Sequence, residues 1–205
     1  MVNNCLHMKK PAYAFIDASN LFYGGEKSLG WKIDYKKLIK YIKRKYLLKK
    51  VFYYGGVELN GFPYSILDKQ LINLNKLISY LNGKKPIDKK PIQRIKFYLK
   101  LAEFGYLLKL KPVKIFHEPD GRISKKANCD VDMTFDLMRY INEYSEVLIL
   151  SGDGDFAIVL KYLMNIGKKV TILARGERTA RDIRQLAGKN FRDFNYLREL
   201  IKFKP

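Results

Sequence analysis

The chain has 205 residues, 47% of them hydrophobic, with 40 Lys and Arg against 20 Asp and Glu for a formal net charge of +20. That length and apolar content suit one folded domain with a substantial core and exclude a disordered chain. The charge favours a polyanionic partner, through steering and counterion release. A membrane partner is excluded, since no apolar run approaches the ~20 residues of a spanning helix and no basic stretch precedes an apolar anchor.

In chain order, Tyr13 to Asp17 is an apolar run with an acidic stop, the profile of a central parallel strand. Asp34 caps a helix whose apolar face is Tyr35, Leu38, Ile39, Ile42 and Tyr46. Val51 to Tyr54 is a second strand, turned by Gly55-Gly56. From Ser65, Ile66, Leu71, Leu74, Leu77, Ile78 and Leu81 recur at helical spacing until Asn82-Gly83. Lys84 to Pro91 reads as an exposed linker, followed by a helix to Glu103 that Gly105 stops. Tyr106 to Phe116 alternates as a strand, and Pro119-Asp-Gly121 turns a hairpin. Asp130 to Tyr144 is helical, Glu146 to Leu150 a strand, Phe156 to Ile166 a helix and Lys169 to Leu173 a strand. Thr179 to Ala187 and Tyr196 to Phe203 close the chain as helices.

This alternation predicts a doubly wound α/β domain with a mostly parallel sheet. The chain is read as a single domain over 1–205, with a helical insertion at about 57–110. Two cysteines, Cys5 and Cys129, form no CxxC pair, so neither a disulfide framework nor a zinc site is expected. With no apolar signal core before the first strand, the expected setting is the reducing cytoplasm. Oligomeric state has no sequence signal.

The chemistry lies in the acids. Asp17 ends the first strand, Asp130 opens a helix that also contains Asp132 and Asp136, and Asp153 and Asp155 sit in Ser151-Gly-Asp-Gly-Asp-Phe156 directly after a strand. Ligands of open parallel sheets bind outside the carboxyl ends of strands, so three segments deliver carboxylates to one crevice. Clustered carboxylates raise one another's pKa and need a cation or a shared proton. Oxygen ligands without thiolate or paired imidazole select Mg²⁺ or Mn²⁺. Asn20, a neutral donor and acceptor, suits orientation of a carboxylate or a scissile phosphate. Taken singly, Asp130 and Asp155 also fit helix caps, and Asp136 fits a structural partner for a nearby Arg or backbone amide.

The motifs Phe15-Ile-Asp-Ala-Ser-Asn20, Tyr53-Tyr-Gly55, Cys129-Asp-Val-Asp-Met-Thr-Phe-Asp136 and Leu150-Ser-Gly-Asp-Gly-Asp-Phe156 occur in the order seen in NYN domains. From about Tyr13 to about Asp193 the chain resembles the LabA-like branch of that PIN-like nuclease superfamily. The resemblance implies a three-layer α/β/α sandwich with a mostly parallel central sheet and divalent-metal-dependent cleavage of RNA. It implies Asp17, Asp130, Asp153 and Asp155 as catalytic metal ligands, with Asn20 and Ser151 at the substrate. Asp136, and Asp132 if the helix is turned suitably, would stand one layer behind. Gly154 is a mild departure from the family pattern, and Asn128-Cys129 replaces a common Gly-Val lead-in.

Other motifs fail. A calcium loop starting at Asp153 would need Gly and Glu where Ile158 and Met164 stand, and no P-loop occurs. His7 and His117 are isolated, and Ser19 and Ser151 have no nearby His in any motif. The alternatives are a non-catalytic RNA-binding protein of the same fold and a metal-dependent nucleotide phosphotransferase.

For docking, Arg175, Arg178, Arg181 and Arg184 follow a strand whose end should lie beside the acids, and arginine's planar fork suits phosphate. A lysine-rich helix face over Lys36 to Lys50 is a second basic region. Phe22, Tyr23 and Trp31 follow the first acid and offer faces on which a base could stack.

Overall fold

The computed structural model describes residues 10–22, 27–65, 67, 71–86 and 88–204. Its elements are β1 (Ala12–Asp17), α1 (Ala18–Asn20), α2 (Lys27–Leu29), α3 (Tyr35–Tyr46), β2 (Leu48–Val57), α4 (Leu74–Asn82), α5 (Lys89–Phe104), β3 (Leu107–Pro112), β4 (Lys114–His117) and β5 (Ile123–Lys126). They continue with α6 (Asp130–Arg139), β6 (Glu146–Leu150), α7 (Ala157–Asn165), β7 (Lys169–Ala174), α8 (Arg181–Ala187), β8 (Phe191–Asp193) and α9 (Arg198–Ile201).

A six-stranded sheet runs β3-β2-β1-β6-β7-β8, and every pairing in it is parallel. β1 lies between β2 and β6, and all six of its residues are buried. Side chains alternate across a strand, so β1 feeds two cores. Ala14 and Ile16 join Leu38 and Ile42 of α3 and Ile95 and Leu101 of α5 on one face. Tyr13 and Phe15 join Met133 and Leu137 of α6 and Leu160 and Leu163 of α7 on the other. A strand is apolar where both its faces are covered, which is why β1, β2 and β6 carry apolar runs over 12–16, 51–54 and 147–150 rather than alternation. Each fully buried Leu or Ile contributes roughly 1.5–3 kcal/mol. The result is the mostly parallel α/β domain that the alternation predicts and the α/β/α sandwich that the resemblance implies.

Local chemistry sets the boundaries. The Asp34 carboxylate accepts from Lys37 N at 2.9 Å to start α3, and Gly105 at φ 94° ends α5. The long helix expected from Ser65 is shorter: α4 begins after Asn73, whose side chain accepts from Lys76 N, and Leu67 and Leu71 are exposed. Ile66 lies outside the described residues. The expected linker over 84–91 stops at Asp88, which caps α5, because Pro91 is tolerated in a first helical turn. The expected strand from Tyr106 to Phe116 divides. β3 pairs with β2, while β4 forms a separate antiparallel hairpin with β5. α4 and α5 thus lie on the crossover that brings β3 parallel to β2. β8, with three residues, is too short to carry a readable pattern in the sequence.

From β1 the chain adds β2 and β3 towards one edge, then β6, β7 and β8 towards the other. The order therefore reverses between β1 and β6, which opens a crevice beyond their carboxyl ends. Among the described residues, no helix is long and apolar enough to cross a membrane.

Candidate metal centre

Asp17 occupies the last position of β1, and the Ser151–Asp155 segment leaves β6 beside it. One carboxylate oxygen of Asp17 accepts from Ser19 N at 2.9 Å and Asn20 N at 3.2 Å, capping α1. Its other oxygen accepts from the Ser151 hydroxyl at 3.3 Å, and Ser151 Oγ in turn accepts from Asp153 N at 3.2 Å. Asn20 Oδ1 accepts from Gly152 N at 3.0 Å. The end of β1 and the loop after β6 are thus stitched together. Asn20 and Ser151 do the stitching, and Ser151 is buried at 2% exposure.

Gly152 is required by its surroundings. A Cβ there would lie 2.6 Å from Thr179 Oγ1 and 2.9 Å from Thr179 Cα. Ala180 N donates to Gly152 O at 2.8 Å, so the segment after β7 closes on the same loop.

Asp130, Asp153 and Asp155 each place a carboxylate oxygen so that all three lie within 4.8 Å of one another. Asp130 is the first residue of α6, with Cys129 in the cap position and making no side-chain cap bond. The Asp130 carboxylate is therefore not consumed as a helix cap. Asp153, not Asp155, caps the turn it opens, accepting from Asp155 N at 3.0 Å. Asp17 stands behind this trio, buried to 8% exposure, and not within the group of three.

Electrostatics tie the four acids together. Burial pushes the Asp17 carboxyl up to about 6, against the pull of the Asn20 amide and with a further upward push from Asp130. Asp130 is also raised, first by burial and then by the charges of Asp153 and Asp155. Each anion here resists the others, which is the state a cation relieves.

The remaining acids of α6 are engaged elsewhere. Asp136, 4% exposed, accepts from Tyr54 OH at 3.0 Å and pairs with Lys109 Nζ at 3.1 Å. Asp132 pairs with Lys111 Nζ at 2.7 Å. These lysines alternate on β3 against acids four apart on α6, and that match of periods was the unread signal. Cys129 is a buried free thiol whose pKa burial pushes up to about 12.

Of the arginines, Arg178, Arg181 and Arg184 are exposed. Arg175 is not part of that open strip: its side chain is 11% exposed and its Nη2 pairs with Glu177 at 2.6 Å. Arg184 also lines, with Lys45, Arg192 and Tyr196, a separate open cavity of about 600 Å³. Trp31 packs into the core at 7% exposure, whereas Phe22 remains 37% exposed. His117 is exposed on the β4–β5 hairpin. Cys5, His7 and Tyr23 lie outside the described residues.

A parallel sheet covered on both faces, with acids gathered at its switch point, defines an α/β/α domain with a candidate metal site. The chain belongs to the NYN domain family, whose model matches residues 11–195. It is 26% identical over 190 residues to the Low amplitude and bright protein LabA of Synechococcus elongatus, covering 92% of this chain and 86% of LabA. Its fold is similar to a crystal structure of a protein of unknown function from Vibrio parahaemolyticus, with a TM-score of 0.64 at 18% identity, covering 99% and 100% of the two chains. The T5 D15 protein co-crystallised with metal ions is more distant, with a TM-score of 0.46 at 14% identity, covering 85% of this chain and 59% of that one.

Proposed function

We propose that this protein is a divalent-metal-dependent nuclease that hydrolyses phosphodiester bonds in RNA. The observation that carries this reading is the convergence of Asp130, Asp153 and Asp155 within 4.8 Å in a chain of net charge +20. An acidic island in a basic protein suits a site that receives phosphate together with cations. The choice of RNA rests on the resemblance to the PIN-like nuclease superfamily.

The donor set fits the expected ion. Its three donors are all hard carboxylates, with oxygens within 4.8 Å of one another, and oxygen donors are what Mg²⁺ and Mn²⁺ take. Asp130, Asp153 and Asp155 would hold Mg²⁺ or Mn²⁺, with Asp17 behind them. Such an ion supplies Lewis acidity to the phosphodiester and lowers the pKa of water.

The chain's own residues supply the rest. Asn20 and Ser151 hold Asp17 and the Gly152–Asp155 loop in register, so the acids need not reorganise as charge develops. Asp153 fixes the backbone of Asp155 through its cap. Arg178 and Arg181 flank the segment whose Ala180 amide is bonded to Gly152, and they would draw the phosphate chain towards the acids. We place the protein in a reducing cytoplasm, consistent with the free thiol of Cys129.

The test is incubation with labelled single-stranded and structured RNA in Mn²⁺, Mg²⁺ or EDTA, beside Asp153→Asn. Cleavage in metal, absent in EDTA and in the variant, is expected. RNA bound but uncut under every condition would leave a binding protein of this fold instead. Equal cleavage by the repurified variant would assign the activity to another site or to a contaminant.

A further inference from the structure

We infer that a cleft beside the acids, between α1 and α5, seats the unpaired bases of single-stranded nucleic acid. The inference rests on the nuclease reading for its choice of polymer, and it names where the strand lies. The cleft has a volume of about 870 Å³ and reaches Ala18, the residue after Asp17. Phe22, Phe97, Phe104 and Phe203 line it, and Lys32, Lys90 and Arg94 bring positive charge. Its carboxylate, Asp34, is already occupied as the cap of α3, accepting from Lys37 N at 2.9 Å.

Two of these rings are exposed to solvent. Phe22 is 37% exposed and Phe203 is 49% exposed, and both line the cleft. Cations already sit over the rings: Lys27 Nζ lies 5.5 Å from the Phe22 centroid, and Lys36 and Lys100 each lie 5.9 Å from that of Phe104. Phe97 is braced edge-on by Tyr35 at 5.1 Å, so it is presented in a fixed orientation. Rings interleaved with cations are the arrangement single strands use, with bases on the π faces and phosphates on the charges.

The cleft reaches towards the metal centre through Ala18 and Ser19, the residues that follow Asp17. A smaller cavity of about 300 Å³ shares Ala18, Phe22 and Arg94 with it, and is lined further by Ser19, Gly56, and Glu58 paired with Lys125 at 2.6 Å. Ser19 N is the donor that holds Asp17, at 2.9 Å. Gly56 leaves the passage narrow and without room for a side chain, since a Cβ there would come 2.5 Å from Ala127 Cβ. A strand with one phosphate at Asp130, Asp153 and Asp155 would pass Ser19 and lay its neighbouring bases against Phe22 and Phe203. A duplex keeps its base faces stacked internally, so it gains nothing from these rings.

The experiment is fluorescence-anisotropy titration of the full chain in EDTA. The probes are a labelled single-stranded oligouridylate, the same sugar-phosphate chain with abasic sites, and a hairpin duplex. Phe22→Ala with Phe203→Ala, both exposed positions, should weaken oligouridylate binding roughly tenfold or more and leave the abasic chain unchanged. Lys32→Gln with Lys90→Gln should weaken both single strands and lower the log–log salt slope by about 1.4. Equal loss on the abasic chain, no loss from the phenylalanine pair, wild-type preference for the duplex, or no wild-type binding would each overturn the cleft. Cleavage in Mn²⁺ is scored separately on the same oligonucleotide. Base-dependent binding without cleavage keeps the cleft and ends the nuclease reading; cleavage with binding indifferent to Phe22 and Phe203 does the reverse.

Discussion

Asp17→Asn should stabilise the metal-free protein at neutral pH. The Asp17 carboxyl is 8% exposed, and burial raises it from its ordinary 3.8 to about 6. A folded-state pKa above the unfolded value means that the native state holds the proton more tightly. The wild type is therefore unpenalised below pH 3.8, loses stability as the pH rises from there to about 6, and pays the full cost above it. At about 1.4 kcal/mol per pKa unit, the cost approaches about 3 kcal/mol. Asparagine keeps an acceptor for the Ser19 and Asn20 amides while removing the buried charge and its repulsion with Asp130. For a chain of this size the gain corresponds to a rise of up to roughly 10 °C in Tm. Thermal denaturation of metal-stripped wild type and variant at pH 3.5, 5 and 8, taken as roughly these values, should show the gap opening across the window set by the two pKa values. Excess Mn²⁺ should then narrow the gap, because a ligand bound by the native wild type stabilises it by mass action. A variant no more stable than wild type at the highest pH would refute the buried-charge argument.

Other consequences are accessible to routine measurement. Asp130→Asn and Asp153→Asn should each reduce metal-dependent cleavage by a hundredfold or more, on the order of several kcal/mol of barrier, with circular dichroism unchanged. Arg178→Ala, Arg181→Ala and Arg184→Ala together should weaken RNA binding and lower its salt slope by about 0.7 per lost phosphate contact, while cleavage at saturating RNA falls less. An unchanged slope would return these side chains to a solvated surface. Asp136→Ala should cost about 1–3 kcal/mol in urea denaturation, because it strands Tyr54 OH and the Lys109 ammonium, and should leave metal affinity by calorimetry near wild type. Gly152→Ala should cost about 1–3 kcal/mol, since its Cβ would meet the Thr179 backbone at 2.9 Å, and metal binding should weaken as the loop shifts.

By itself the sequence determined the layered fold, because a strand covered on both faces carries a continuous apolar run, as β1 does before Asp17 and β6 does after Glu146, and helices that cover it must show one apolar stripe. It also determined where acids could gather, since Asp17, Asp130 and Asp153 each stand at the end or start of such an element. The tertiary structure decided which acids share a pocket. Asp132 and Asp136 lie on the same helix as Asp130, yet Lys111 and Lys109 on β3 claim them, and that pairing depends on β3 lying parallel to β2. The same crossover carries α5 to the side of α1 and brings Arg94, Phe97 and Phe104 near Phe22, residues more than 70 positions apart in part. Local periodicity carries the identity of each element. Which side chains meet across the crevice depends on strand order, and strand order is set by packing between segments that share no local pattern.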